Sequence, residues 1–173
     1  PTLGLDRLSI LFEGVYMDNE IYLNGEKIFT WPYGYSQFEI DLTSYVKEGE
    51  NTIWVKNTYE LPNSRWYPGS GIYRNVWLVR RPAVHFTTDG GYLSAKKEGD
   101  AFILHADYEI QNDTDSACEV TLCHTVLAPD GKVAGTSKET LTIPCGLTVN
   151  KQTMTFEAPL LWDIESPNLY TVH

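Results

Sequence analysis

The sequence predicts an all-β chain of two β-sandwich units, residues 1–82 and 83–173. Three observations lead there. Apolar residues alternate with a period of two in run after run, whereas no window keeps the helical period of 3.6. Gly, Asn, Asp and Pro clusters separate those runs at short intervals. Composition also breaks near Pro82: residues 1–82 carry 8 Lys/Arg against 10 Asp/Glu, and residues 83–173 carry 5 against 13. All five arginines (Arg7, Arg65, Arg74, Arg80, Arg81) and 15 of the 22 aromatic residues fall in the first part.

In the first unit, Leu8–Gly14 and Glu20–Leu23 read as strands, and Asn24-Gly25 joins the second to Glu26–Phe29. Asn-Gly between β-rich runs is a strong hairpin signal, because both central residues must adopt positive φ. Gln37–Leu42 places Phe38, Ile40 and Leu42 on one face. The next segment could form one helical turn before Gly49-Glu50-Asn51 feeds the strand Thr52–Asn57. Ile72–Arg80 is expected to be one strand with bulky residues on both faces, as in a strand covered on both sides. Tyr73 and Trp77 are accordingly expected in core or inter-domain packing.

After Pro82 strands are expected at Ala83–Thr88, Tyr92–Lys96, Phe102–Gln111, Glu119–Ala128, Lys132–Ile143, Gln152–Glu157 and Leu169–Val172. Phe102, Leu104, Ala106, Tyr108 and Ile110 form an inward row. Asp89-Gly90-Gly91 reads as a turn. About seven short strands over some 90 residues is the pattern of an immunoglobulin-like sandwich. The sequon Asn112-Asp113-Thr114 is expected at a loop tip, where it could carry a glycan in a secreted protein.

Charge and cysteine usage exclude several functions. A net charge of −10 argues against a nucleic-acid partner, which calls for a basic face. No apolar run reaches the length of a membrane span, so no membrane partner is expected. The start at Pro1 shows neither the basic nor the apolar region of a signal peptide, so a processed product or a cut-out piece is expected, of undetermined compartment. Cys118, Cys123 and Cys145 are an odd set, read as free thiols. Cys118 and Cys123 point to opposite faces of a strand, which argues against a metal half-site. His85, His105, His124 and His173 are scattered, and no metal site or cofactor is expected.

The stretch Asn63–Trp77, NSRWYPGSGIYRNVW, is the densest in chemistry. A strand rather than a helix follows Gly69-Ser70-Gly71, so the helix-terminus logic of a phosphate cradle is missing. No nucleophile elbow accompanies a serine. A carboxylate pair for sugar hydrolysis must face across a cleft of roughly 5–10 Å, and Glu13, Glu39 and Asp41 are the better-buried candidates. Asn63, Arg65, Trp66 and Tyr67 precede the Gly-Ser-Gly kink, where bulky amphipathic side chains are hard to bury together. A guanidinium beside indole and phenol rings suits stacking on a polyhydroxylated ring, or equally an arginine-aromatic contact that glues two domains.

In order along the chain, Phe12-Glu13-Gly14-Val15-Tyr16, Ile21-Tyr22-Leu23-Asn24-Gly25, Gly34-Tyr35-Ser36-Gln37-Phe38, Gly49–Val55, Ser64–Leu78 and Trp162 with Pro167-Asn168-Leu169-Tyr170 resemble the motifs of glycoside hydrolase family 2, the family of bacterial β-galactosidases, β-glucuronidases and β-mannosidases. The resemblance implies a partial sugar-binding jelly roll over 1–82 and an immunoglobulin-like β-sandwich over 83–173. It implies that opening jelly-roll strands and the catalytic (β/α)8 barrel with both catalytic glutamates lie outside this chain. The parent would be a retaining exo-glycosidase, most like a β-galactosidase and of periplasmic or cytoplasmic address, and the chain alone is expected to be inactive. Its partners would be a terminal β-linked sugar and the barrel of the same polypeptide. By position, Asn63, Arg65, Trp66 and Tyr67 would lie in the loop that leans toward the barrel's pocket. Arg65 stands where some galactosidases have an acidic sodium ligand, so no cation site is implied. Arg74 is expected to tie its strand to a carboxylate. A free-standing lectin-like carbohydrate-binding module is the rival reading. A truncated first unit is expected to close as a homodimer, to swap strands, or to be marginally stable.

Overall fold

The computed structural model describes residues 7–60, 69–99 and 101–173, all of them strand, turn or irregular. The chain divides into two compact units, Pro1–Pro82 and Ala83–His173.

Among the described residues, eight strands build the first unit: β1 (Arg7–Phe12), β2 (Val15–Tyr16), β3 (Asn19–Leu23), β4 (Glu26–Trp31), β5 (Phe38–Asp41), β6 (Ile53–Asn57), β7 (Gly71–Ile72) and β8 (Val76–Arg81). They form antiparallel sheets ordered β5-β1-β8 and β4-β3-β6, with β2-β7 as a short ribbon. Period-two alternation turns Ile10, Phe12, Phe38 and Ile40 of one sheet and Ile21 and Leu23 of the other into a shared core with Val15 and Leu42. Phe38 anchors it, stacked on Phe12 at 5.0 Å and on Phe29 at 5.8 Å, with Trp31 at 5.5 Å. Burial of an aromatic or aliphatic side chain of this size contributes about 1.5–3 kcal/mol. The Asn24-Gly25 hairpin forms as expected, with φ of 53° and 89°.

The last segment of this unit departs from expectation. Ile72–Arg80 is not one strand: Tyr73–Asn75 interrupts the ladder between β7 and β8. Nor is it covered on both faces, because Trp77 is 52% and Leu78 68% exposed. β8 pairs with β1 along one edge, and among the described residues of this unit no strand pairs its other edge.

The second unit contains β9 (Val84–Glu98), β10 (Ala101–Asn112), β11 (Cys118–Leu127), β12 (Val133–Ile143), β13 (Gly146–Glu157) and β14 (Thr171–Val172). Two three-stranded antiparallel sheets result, β13-β10-β9 and β12-β11-β14. Ala106 and Ile110 of one and Leu122, Val126 and Ile143 of the other are buried. Gly135 of β12 lets that strand approach β13, since a Cβ there would stand 2.6 Å from Met154 Sδ.

Asp89-Gly90-Gly91 is a bulge rather than a turn, so the two strands expected at 83–96 are one. Phe86 pairs with Ile110 and Gly91 with Tyr108, which leaves Thr87–Gly90 opposite the single residue Glu109. Thr87 Oγ1 donates to Glu109 Oε2 at 2.8 Å, and Asp89 takes a φ of 55°. The left-handed residue is Asp89 itself, and Gly90 is needed for room, since a Cβ there would collide with Thr87 Oγ1 and stand 3.0 Å from Glu109 Cβ; the same Asp-Gly-Gly would suit a turn. The sequon is also not at a loop tip. Asn112 is buried, and its Nδ2 donates to Ser116 O and Ile143 O at 3.0 Å each, so that nitrogen is committed to the fold.

Candidate functional site

The residues singled out by sequence, Asn63, Arg65, Trp66 and Tyr67, lie outside the described residues. The flanks of their loop are described, and the first unit arranges them in detail. On one side β6 ends at Asn57, and Thr58 N donates to Met17 O at 3.2 Å. On the other, β7 pairs with β2 through Val15↔Ile72 and Tyr16↔Gly71, with Gly71 at φ 117°. The Tyr73 ring then crosses over Gly14, where a Cβ would stand 2.6 Å from Cζ, and its hydroxyl donates to Gly34 O at 2.8 Å. Both contacts require glycine: one for room beside the ring, the other because a Cβ on Gly34 would collide with the Tyr16 ring.

Around Gly34 the tyrosines gather. Tyr16, itself buried, meets Tyr35 edge-on at 5.2 Å and Tyr59 at 6.4 Å, and Tyr33 meets Tyr35 edge-on at 5.8 Å. Tyr33 and Tyr35 are 58% and 53% exposed. Beneath them sits the buried Asn19, whose Nδ2 donates to Val15 O and Trp31 O at 3.0 Å each and whose Oδ1 accepts from Asn57 Nδ2. One side chain thereby ties together β2, the end of β4 and the strand that leads into the loop. The result is a ledge of amphipathic rings, fixed from behind, beside both loop flanks. Such rings offer flat apolar faces and hydroxyls, a combination suited to a sugar or to a second protein surface. Gly34-Tyr35 stands out in the sequence as a motif, but the cluster does not, because it depends on pairings between residues far apart in the chain.

The carboxylate candidates are engaged separately. Glu13 Oε1 accepts from Trp77 Nε1 at 2.7 Å, which holds that exposed indole by its edge. Glu39 pairs with Arg81 and accepts from Ser9 Oγ. Asp41 caps the following turn, accepting from Thr43 N at 2.8 Å. The strand's arginine-carboxylate tie thus falls to Arg81, while Arg74 lies over the Tyr73 ring at 5.8 Å. Tyr73 and Trp77 are surface rings in this unit, not core.

In the second unit Cys118 is half-buried and Cys123 exposed, on opposite faces as expected. Among the described residues no group of three or more His, Cys, Asp and Glu side chains is placed to hold a metal ion. His124 is buried, stacked on Tyr108 at 4.9 Å, with Nδ1 3.0 Å from Ser137 Oγ. Burial pulls its pKa below the ordinary histidine value, against a smaller opposing pull from Glu139.

Two family models match this chain, together over nearly its whole length: "Glycosyl hydrolases family 2, sugar binding domain" over residues 2–82 and "Glycosyl hydrolases family 2" over residues 92–173. A beta-galactosidase of Bacteroides ovatus is 36% identical over 167 residues, covering 94% of this chain and 20% of its own length. A beta-glucuronidase of Formosa agariphila is 29% identical, covering 96% of this chain and 19% of its own. Among solved structures, a glycosyl hydrolase family 2 member from Bacteroides cellulosilyticus matches with a TM-score of 0.90 at 29% identity, over 98% of this chain and 22% of that one. A beta-glycosidase from Bacteroides vulgatus matches with a TM-score of 0.83 at 33% identity, over 99% and 22%. The chain therefore spans about a fifth of the length of the relatives it matches.

Proposed function

Because the chain belongs to glycoside hydrolase family 2, we propose that it is the accessory β-sandwich portion of a retaining glycosidase that removes terminal β-linked sugars, with a β-galactoside as the substrate. In this reading residues 1–82 are the later part of a sugar-binding jelly roll and residues 83–173 an immunoglobulin-like spacer. The loop with Asn63, Arg65, Trp66 and Tyr67 rims the pocket of a catalytic barrel carried by the same polypeptide. The observation that carries the reading is the tyrosine ledge: Tyr33 and Tyr35 present exposed rings, braced by Tyr16 and by the Tyr73–Gly34 hydrogen bond, beside both flanks of that loop. A positioned aromatic rim improves a neighbouring catalytic site by orienting the substrate.

The test is the full-length parent enzyme assayed on aryl β-galactoside and aryl β-glucuronide. Hydrolysis of the galactoside by the parent and none by the 173-residue chain is the expected result. Preference for the glucuronide would replace the substrate, and inactivity on every β-linked aryl glycoside would overturn the enzymatic reading. Arg65→Ala in the parent is expected to raise KM for the sugar, and unchanged kinetics would remove Arg65 from the rim. The lectin-like alternative predicts that the isolated chain binds a terminal sugar at the tyrosine ledge, which Tyr35→Ala would abolish.

A further inference from the structure

The outer face of the β4-β3-β6 sheet carries a second arrangement, separate from every residue assigned above to the rim. Alternation sends Ile21, Leu23, Ile53 and Val55 toward the core and leaves Glu20, Tyr22, Trp54 and Lys56 on the opposite face. Register sets them in two rows across the sheet. Lys27, Tyr22 and Trp54 are mutual partners in one row, and Thr30, Glu20 and Lys56 in the next. Trp54 is 69% exposed, the most exposed aromatic of the first unit together with none of its neighbours stacked on it among the described residues. Beside it Glu20 gathers three donors: Lys27 Nζ at 2.5 Å, Lys56 Nζ at 2.8 Å and Tyr22 Oη at 3.0 Å.

A solvated indole on a flat strand face has no role in the packing of this unit, whose core lies on the other side of the sheet. Its chemistry suits the C–H face of a pyranose ring. The neighbouring charges add a sign. Two ammonium groups against one carboxylate make this face locally cationic on a chain of net charge −10. Each ammonium spends one of its three N–H groups on Glu20 and keeps others for an anion. Because Glu20 anchors both lysines, they are held in place before a ligand arrives, which lowers the entropy lost on binding. Lys56 stands two residues from Trp54 on the same face, a separation of about 6.6 Å along the strand, close to the width of one sugar ring.

We propose that this face is a binding site for an acidic sugar residue of a glycan, its ring stacked on Trp54 and its carboxylate received by Lys56 and Lys27. The site would hold a longer or substituted substrate away from the place where it is cut. It depends on neither the barrel nor the identity of the terminal sugar.

The test follows the indole N–H signal of Trp54 in a 15N-labelled 173-residue chain titrated with trigalacturonate and, in parallel, with a neutral galactose trisaccharide. Trigalacturonate is expected to shift that signal saturably. Trp54→Ala should weaken binding, followed on neighbouring backbone amides, by about tenfold or more, and Lys56→Met by about tenfold, as for loss of a ring contact and of a charged hydrogen bond. Added salt should weaken the acidic ligand. A backbone amide spectrum unchanged outside the site confirms that each variant is folded. Absence of a Trp54 shift, or binding unaffected by Trp54→Ala, would overturn the site. Equal response to the neutral trisaccharide would overturn its preference for acidic sugars. Full activity of the parent on aryl glycosides is compatible with either outcome, so this result and the enzymatic assay fail independently.

Discussion

Asn19 is the residue on which the architecture of the ledge turns. It is wholly buried and spends its amide on two backbone carbonyls while its own carbonyl accepts from Asn57. Removal of the amide leaves those carbonyls without a donor in a dry environment, so Asn19→Ala is expected to destabilise the first unit by about 1–3 kcal/mol in urea unfolding. Gly34 sets a complementary constraint. A methyl group there collides with the buried Tyr16 ring, and that ring supports Tyr35 and Tyr59. Gly34→Ala is expected to lower stability by about 1–3 kcal/mol and to change the near-ultraviolet circular dichroism of the tyrosines. A residue that only fills space would cost stability without that spectral change.

At the scale of the element, pH reaches the two units through different groups. Hydrogen bonds from Lys27, Lys56 and Tyr22 hold the Glu20 carboxyl down to about 2, from an ordinary value of 4.5. Its folded pKa is depressed, so the contribution to stability is present above 4.5 and is lost as pH falls toward about 2. Carboxyl NMR titration is expected to find that low value, and the Lys27→Met/Lys56→Met double variant to return Glu20 toward the ordinary one. His124 in β11 acts nearer neutrality. Facing it are Tyr108 of β10, Ser137 and Glu139 of β12 and Gln152 of β13, with desolvation the dominant influence. Its folded pKa is also lowered, so the unfolded chain takes up the proton first. Stability of the second unit is expected to fall as pH drops through the ordinary histidine value of 6.5 in denaturant titrations, and His124→Phe should flatten that slope. The same elements mark how far sequence reasoning reaches. The Asn24-Gly25 hairpin and the Phe38-Ile40-Leu42 face were legible because their causes are local: positive φ in one turn, period two in one strand. The β9 bulge was not, since Asp-Gly-Gly satisfies a turn and a bulge alike and only the partner strand decides. The break at Tyr73–Asn75 hid for a similar reason: the Tyr73 ring leaves its strand to reach Gly34, a contact 39 residues away in sequence.

At the scale of the whole molecule, all-β architecture and family membership were readable from ordered motifs spread over nearly the entire chain. The candidate loop was legible only as chemistry, because Asn63, Arg65, Trp66 and Tyr67 fall outside the described residues. The tyrosine ledge and the Trp54 face needed register, which a linear sequence does not display. The edge of β8 that no described strand pairs, with Val76, Trp77 and Leu78 exposed, makes self-association the expected behaviour of the isolated chain. Sedimentation velocity should show concentration-dependent dimers, and Leu78→Lys should shift the population toward monomer. A compact monomer at all concentrations would contradict this.

The bulge in β9 has a consequence for heredity as well as for shape. It inserts an odd surplus, four residues facing one, so the inward positions change from even-numbered, Val84 and Phe86, to odd-numbered, Leu93 and Ala95. Loss of a single codon between Asp89 and Gly91 would leave an even surplus, so that plain alternation from Phe86 keeps Leu93 and Ala95 inward, whereas loss of the exposed Tyr92 from the regular ladder would turn the remainder of the strand over. Loss of a residue in the Pro129–Gly131 hairpin loop would shorten a connection and invert nothing. Within this unit, tolerance to deletion is therefore governed by parity rather than by exposure.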